Sequence, residues 1–167
     1  MHTVLDVGCG SGRTAILLCE RDPDLQVVCI DRPDMLDKMN QRMEEKARNY
    51  KIIEKCRDIE KECFTDGGQY DAIILSNILH LFSEDTVRRI LQACADALNP
   101  GGRILLNDIF YRKDNLETKL YMIKWMKLGT AFSSLERTKG MLDQLSLCIC
   151  KEYPILNTPN TFFLLEK

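Results

Sequence analysis

Three glycines at a spacing of two, Gly8, Gly10 and Gly12, follow directly on Asp6-Val7 and precede an apolar set at helical spacing, Ala15, Ile16, Leu18 and Cys19. Glycine between a strand and a helix lets the backbone turn sharply and lets a ligand approach the peptide groups closely. A dinucleotide fingerprint, G-x-G-x-x-G, would place its third glycine at position 13, where this chain has Arg13. The turn therefore suits a nucleotide-type ligand without a pyrophosphate. Asp31 closes the next β-rich run, Gln26 to Ile30, and is placed to accept hydrogen bonds from ribose hydroxyls. A second chemical group is His80, within Asn77-Ile78-Leu79-His80-Leu81-Phe82-Ser83-Glu84-Asp85; the other histidine of the chain is His2. An imidazole at the mouth of a site can act as a general base, and a histidine bonded to a neighbouring backbone group is the structural alternative.

The elements that must position these groups follow from periodicity. Thr3 to Val7 reads as a short apolar strand, Gln26 to Ile30 as a second, Ile52-Ile53 as a short third, Tyr70 to Leu75 as a fourth buried on both faces, and Arg103 to Leu106 as a fifth. Pro33 suits the first position of a helix and Asp34 its positive end, with Met35, Leu36, Met39 and Met43 at helical spacing. Ser83 reads as the cap of the next helix, whose apolar stripe is Val87, Ile90, Leu91, Cys94 and Leu98, and Asn99-Pro100-Gly101-Gly102 ends it. Helices are expected over 115–128 and 134–145, and strands at Leu147 to Cys150 and Thr161 to Leu165. Strands alternating with helices over short connections predict an α/β fold, a mostly parallel sheet covered on both faces, closed by an antiparallel hairpin at one edge.

Asp6-Val7-Gly8-Cys9-Gly10-Ser11-Gly12 closely resembles the first motif of class I S-adenosylmethionine-dependent methyltransferases. Asp31 matches the ribose-binding acid, Arg57-Asp58-Ile59 the position that contacts adenine, and Leu98 to Leu106 the L-x-P-G-G-x-hydrophobic stretch before the fifth strand. The stretch around His80 resembles the L-H-D-W-x-D segment of small-molecule O-methyltransferases, the plant phenolic and hydroxyindole group. This resemblance implies a Rossmann-like seven-stranded sheet and S-adenosylmethionine as cofactor, leaving as S-adenosylhomocysteine. It places Asp6, Gly8, Gly10, Gly12, Asp31, Arg32, Asp58, Ile59, Ser76 and Asn77 at that cofactor. It makes His80 the general base, with Asp108 and Glu136 of Glu136-Arg137-Thr138 as flanking acids, and sets Met122, Trp125 and Met126 against an aromatic acceptor. An ordinary core stripe accounts for those last three residues equally well. Leu81-Phe82 stands where the family has Asp-Trp, and Ser76 where plant members often carry a cofactor-contacting lysine.

Composition bounds the rest. The 167 residues, 45% hydrophobic and 29% charged, suit one globular domain. A net charge of −2 offers nothing to a phosphate backbone, so no nucleic-acid partner is expected. No apolar run is long enough for a membrane span, and Met1-His2-Thr3 lacks a signal-peptide profile, so a cytoplasmic setting is expected. The eight cysteines include no Cys-x-x-Cys pair, so we expect free thiols and no metal site, with Cys148 and Cys150 in the core or half-buried. The domain expected is one methyltransferase unit over 1–167, with a cofactor-binding half over 1–110 and acceptor-side helices and closing strands over 111–167. The N-terminal dimerisation domain of the family's members is expected to be absent. Two functions follow as alternatives: His80-assisted methylation of a small hydroxylated, aromatic molecule, or a methyltransferase-like subunit that needs a partner chain. Methylation of nitrogen or carbon in the same pocket stays open. A homodimer or a partner protein is expected to cover the side where the dimer arm would pack.

Overall fold

The computed structural model describes residues 2–46, 49–110, 134–156, 158 and 160–167. The elements are β1 (Thr3–Val7), α1 (Arg13–Arg21), β2 (Gln26–Asp31), α2 (Pro33–Lys46), β3 (Ile52–Cys56), β4 (Tyr70–Ser76), a 3-10 turn (Leu79–Leu81), α3 (Glu84–Asp96), β5 (Leu98–Ile109), α4 (Leu135–Gln144), β6 (Cys148–Pro154) and β7 (Asn160–Glu166). The seven strands form one sheet in the order β3-β2-β1-β4-β5-β7-β6. β1 to β5 are parallel, and β7 runs antiparallel to both β5 and β6.

Successive residues of a strand face opposite sides of the sheet, so a strand covered on both faces reads as a continuous apolar run. β1 and β4 show this division. Leu5, Val7, Ile73 and Leu75 join one core with Val87, Ile90, Leu91 and Cys94 of α3 and Met141 and Leu142 of α4. Val4 and Ile74 join the other with Ala15 and Cys19 of α1 and Leu36 and Met39 of α2. The chain leaves β1 for β2 and β3, then returns across β1 to start β4, which makes the β1–β4 boundary the topological switch point. Ligands of open α/β sheets bind outside the carboxyl ends of the strands at this point. The glycine turn follows β1 there, and Asn77 follows β4.

Two expectations are altered. β5 begins at Leu98, so Asn99-Pro100-Gly101-Gly102 belongs to an irregular start of the strand, with a register shift between Tyr70 and Ala72 on its partner. Cys148 and Cys150 are exposed. Their strand β6 is an edge of the sheet, its residues exposed or half-buried on both faces, so neither thiol reaches a core. The helix expected over 115–128 lies outside the described residues. The cap expected at Ser83 is present, its hydroxyl accepting the Thr86 N–H at 3.3 Å, and Ser134 caps α4 by accepting from Arg137 N–H at 3.2 Å.

Candidate active site at the carboxyl ends of the strands

A cleft of about 640 Å³ opens over the switch point, within the range of small-molecule sites. Its walls are the glycine turn (Gly8, Gly10), the end of β2 (Asp31, Arg32), the segment after β3 (Asp58, Ile59) and the segment after β4 (Asn77, Ile78). The turn is held from below: Gly8 N–H and Cys9 N–H both donate to the Ile30 carbonyl, at 2.8 and 3.2 Å. Gly8, Gly10 and Gly12 all have positive φ. Gly10 is the informative one. A side chain there would meet only the Met35 methyl at 3.6 Å, so it would grow into the cleft. Asp31 steadies the same residue, its Oδ2 accepting the Gly10 N–H at 2.7 Å while Oδ1 accepts the Arg32 N–H at 2.8 Å.

Asp6 lies beneath the turn, 2% exposed, paired in register with Cys29 of β2. Burial, and then the nearby negative charge of Asp31, push its carboxyl up from 3.8 to about 7.

On the far side of the 3-10 turn a smaller recess of about 130 Å³ is lined by His80, Phe82, Val87, Asp108, Phe110, Thr138 and Met141, among others. His80 Nδ1 and Asp108 Oδ1 are 2.6 Å apart, and both side chains are buried. Asp108 is itself clamped. Its Oδ2 accepts the Ile78 and Leu79 N–H groups at 3.0 and 2.7 Å, and its Oδ1 the Ile109 N–H at 2.7 Å. One carboxylate at the end of β5 thus fixes both the turn after β4 and the orientation of the imidazole. Phe82 lines both the cleft and the recess.

Of the residues expected at a cofactor, Gly8, Gly10, Asp31, Arg32, Asp58, Ile59 and Asn77 line the cleft. Asp6, Gly12 and Ser76 are not among its lining residues: Asp6 is beneath the turn, Gly12 starts α1 beside Met39, and Ser76 bonds Asn77 and Asn107. His80 and Asp108 are brought together. Glu136 is exposed in the first turn of α4, while its neighbours Arg137 and Thr138 line the recess. Met122, Trp125 and Met126 lie outside the described residues. Sequence reasoning passed over Met35, Phe82 and Asn160. The first two sit in stretches read for other purposes, and Asn160 has no local signal, because its partner Asn77 is 83 residues away.

The fold is that of a class I S-adenosylmethionine-dependent methyltransferase. The profile of a family described as methyltransferase domain matches residues 4–102, and the chain belongs to that family. A 3-hydroxy-5-methyl-1-naphthoate 3-O-methyltransferase of Streptomyces sahachiroi is 32% identical over 114 residues, 68% of this chain and 32% of that protein. The crystal structure of an O-methyltransferase family 2 protein of Planctomyces limnophilus DSM 3776, in complex with apigenin, superposes with a TM-score of 0.84 at 26% identity, over 99% of this chain and 50% of that one. An O-methyltransferase from neocarzinostatin biosynthesis, solved with S-adenosylmethionine and 2-hydroxy-5-methyl naphthoic acid, has the same fold at a TM-score of 0.76 and 20% identity, over 98% of this chain and 48% of that one. The chain thus spans half or less of the length of these relatives.

Proposed function

We propose that the chain binds S-adenosylmethionine in the switch-point cleft and transfers its methyl group to a hydroxyl of a small aromatic molecule held beside His80. The observation that carries this reading is the buried His80–Asp108 pair, 2.6 Å apart, in a recess that shares Phe82 with the glycine-turn cleft. The residues present suit the cofactor. The space over Gly10 is open to a ligand, and each Asp31 oxygen has further lone-pair capacity for a ribose hydroxyl beyond its one backbone bond. Gly8, Gly10, Asp31, Arg32, Asp58, Ile59 and Asn77 would hold the group at the cleft wall, and Asp6, Gly12 and Ser76 would support that wall from behind.

When bound, the cofactor supplies a methyl group activated by a positively charged sulfur. The protein's part is to align the acceptor and remove its proton. A phenol with a pKa of about 10 is mostly protonated at neutral pH. In the tautomer that donates its Nδ1 hydrogen to Asp108, Nε2 of His80 is the nitrogen that would take the hydroxyl proton. Such a base contributes roughly 10²–10⁴-fold. Asp108, held by three backbone N–H groups, keeps the ring oriented and offsets the charge of the imidazolium, as the buried carboxylate of a serine-protease triad does. Glu136, beside two lining residues of the recess, is assigned a supporting negative charge. Phe82, Val87 and Met141 give a flat apolar ring its wall.

The naphthoate, apigenin and naphthoic acid of the relatives are the first acceptors to try. The test is calorimetry of the chain with S-adenosylmethionine, then product formation on that panel by wild type, His80→Ala and Gly10→Arg. Binding by wild type, its loss in Gly10→Arg, and turnover lost in His80→Ala with cofactor binding kept would bear the reading out. Full turnover in His80→Ala would remove the base. Binding seen only after a second protein is added would favour the subunit reading. Association with a second copy or a partner belongs to the same proposal, and a monomer by light scattering at micromolar concentration would remove it. Among the described residues no helix is long and apolar enough to cross a membrane, and a reducing cytoplasm is the setting we assign to the eight free thiols.

A further inference from the structure

Asn77 directly follows β4, lines the cleft and has a φ of 54°. The left-handed region costs most side chains roughly 1–2 kcal/mol, and asparagine tolerates it only with local hydrogen bonding. Here that bonding is supplied from three strands. The Asn77 N–H donates to the Asn107 carbonyl at 2.8 Å, and its Nδ2 to Ser76 Oγ at 3.4 Å. Its Oδ1 accepts from Asn160 Nδ2 at 2.7 Å, the shortest of the set. Asn160 Nδ2 also lies 3.4 Å from Asn107 Oδ1, and Asn107 Nδ2 donates to Ser76 Oγ at 3.3 Å. Register explains the meeting: Ser76 pairs with Asn107 between β4 and β5, and Ile109 pairs with Asn160 between β5 and β7. The closing hairpin therefore places its first strand residue of β7 against the wall of a cleft built otherwise from the first half of the chain.

We infer that Asn160 is a positioning residue for the cofactor cleft: its amide holds Asn77 in the left-handed conformation and so sets the wall that Asn77 and Ile78 present to the ligand. The inference rests on the cofactor assignment above. The Asn160–Asn77 bond is exposed and neutral, which corresponds to a change in affinity of about two- to three-fold. Asn160→Ala should therefore weaken S-adenosylmethionine by about that factor in calorimetry. Asn160→Val deletes the donor while keeping strand propensity, and guards against loss of fold. In turnover, the KM for the cofactor should rise while kcat at saturation stays within about two-fold. Asn77→Ala should weaken binding at least as much, since it also loses the bond to Ser76, and Asn77→Ala with Asn160→Ala should be little worse than Asn77→Ala alone, because the two share one interaction. Unchanged affinity in both Asn160 variants, or full additivity with Asn77→Ala, would overturn the inference. Amide hydrogen exchange in the ligand-free chain separates it from the cofactor assignment. If wild type binds no S-adenosylmethionine, the assignment fails, and the Asn77 N–H decides the rest: faster exchange in Asn160→Val supports the positioning role, and wild-type exchange refutes it.

Discussion

The carboxyl of Asp6 is 2% exposed, and its Oδ2 has no hydrogen-bond partner among the described residues. Its folded-state value, about 7, stands above the ordinary 3.8. The native state therefore keeps a proton that the unfolded chain releases, so stability from this group is full below about pH 4 and is lost as pH rises through about 7. Three pKa units correspond to about 4 kcal/mol as an upper figure. Asp6→Asn, neutral at every pH, should flatten the fall in melting temperature between pH 5 and 8. A wild-type profile that rises over that interval would count against the assignment. At Asp108 the opposite exchange is damaging. Asn offers one acceptor oxygen where the carboxylate serves three N–H groups and His80. Asp108→Asn should cost about 10²-fold or more in turnover on any acceptor found, and about 1–3 kcal/mol in urea unfolding. Activity near wild type would break the proposed pairing. At this scale the sequence exposed the histidine and the glycines, because their chemistry is local. It misplaced Cys148 and Cys150, because whether a strand's face is covered depends on its place in the sheet.

Elements were legible where both faces or one long stripe is buried. β1, β2 and β4 read as apolar runs because helices cover both sides of them, and α3 read from its stripe and its Ser83 cap. The start of β5 was not legible, because Asn-Pro-Gly-Gly is turn chemistry to any local reading. In the fold it lies against β4. A Cβ on Gly102 would stand 2.9 Å from the Asn99 carbonyl oxygen and 3.0 Å from that of Tyr70. Both obstacles are backbone and cannot rotate away. Gly102→Ala should destabilise the chain by about 1–3 kcal/mol, and an unchanged urea midpoint would mean that β4 and β5 shift apart freely. Ser83→Ala should cost about 1 kcal/mol by loss of the α3 cap. The antiparallel edge hairpin was legible from two strands with no helix between them. Its contribution of Asn160 to the cleft was not, since that contact depends on the order β5-β7-β6.

Cores fill the two faces of the sheet, and among the described residues the cleft and the recess lie at the carboxyl ends of the parallel strands. A ligand there stabilises the sheet as a unit. At a hundred times its dissociation constant, S-adenosylmethionine should add about 2.7 kcal/mol, which for a domain of this size is a rise in melting temperature of roughly 5–10 °C. No shift at millimolar cofactor would argue that this chain does not hold it alone. Phe82 carries a consequence at the same scale. Phe82 lines both cavities, so under the proposed function a shift of this residue on filling one cavity would be felt in the other. Whatever factor the cofactor applies to acceptor affinity, the acceptor must return to the cofactor. Under the proposed function the two affinities would then rise or fall together by one factor, whichever ligand binds first.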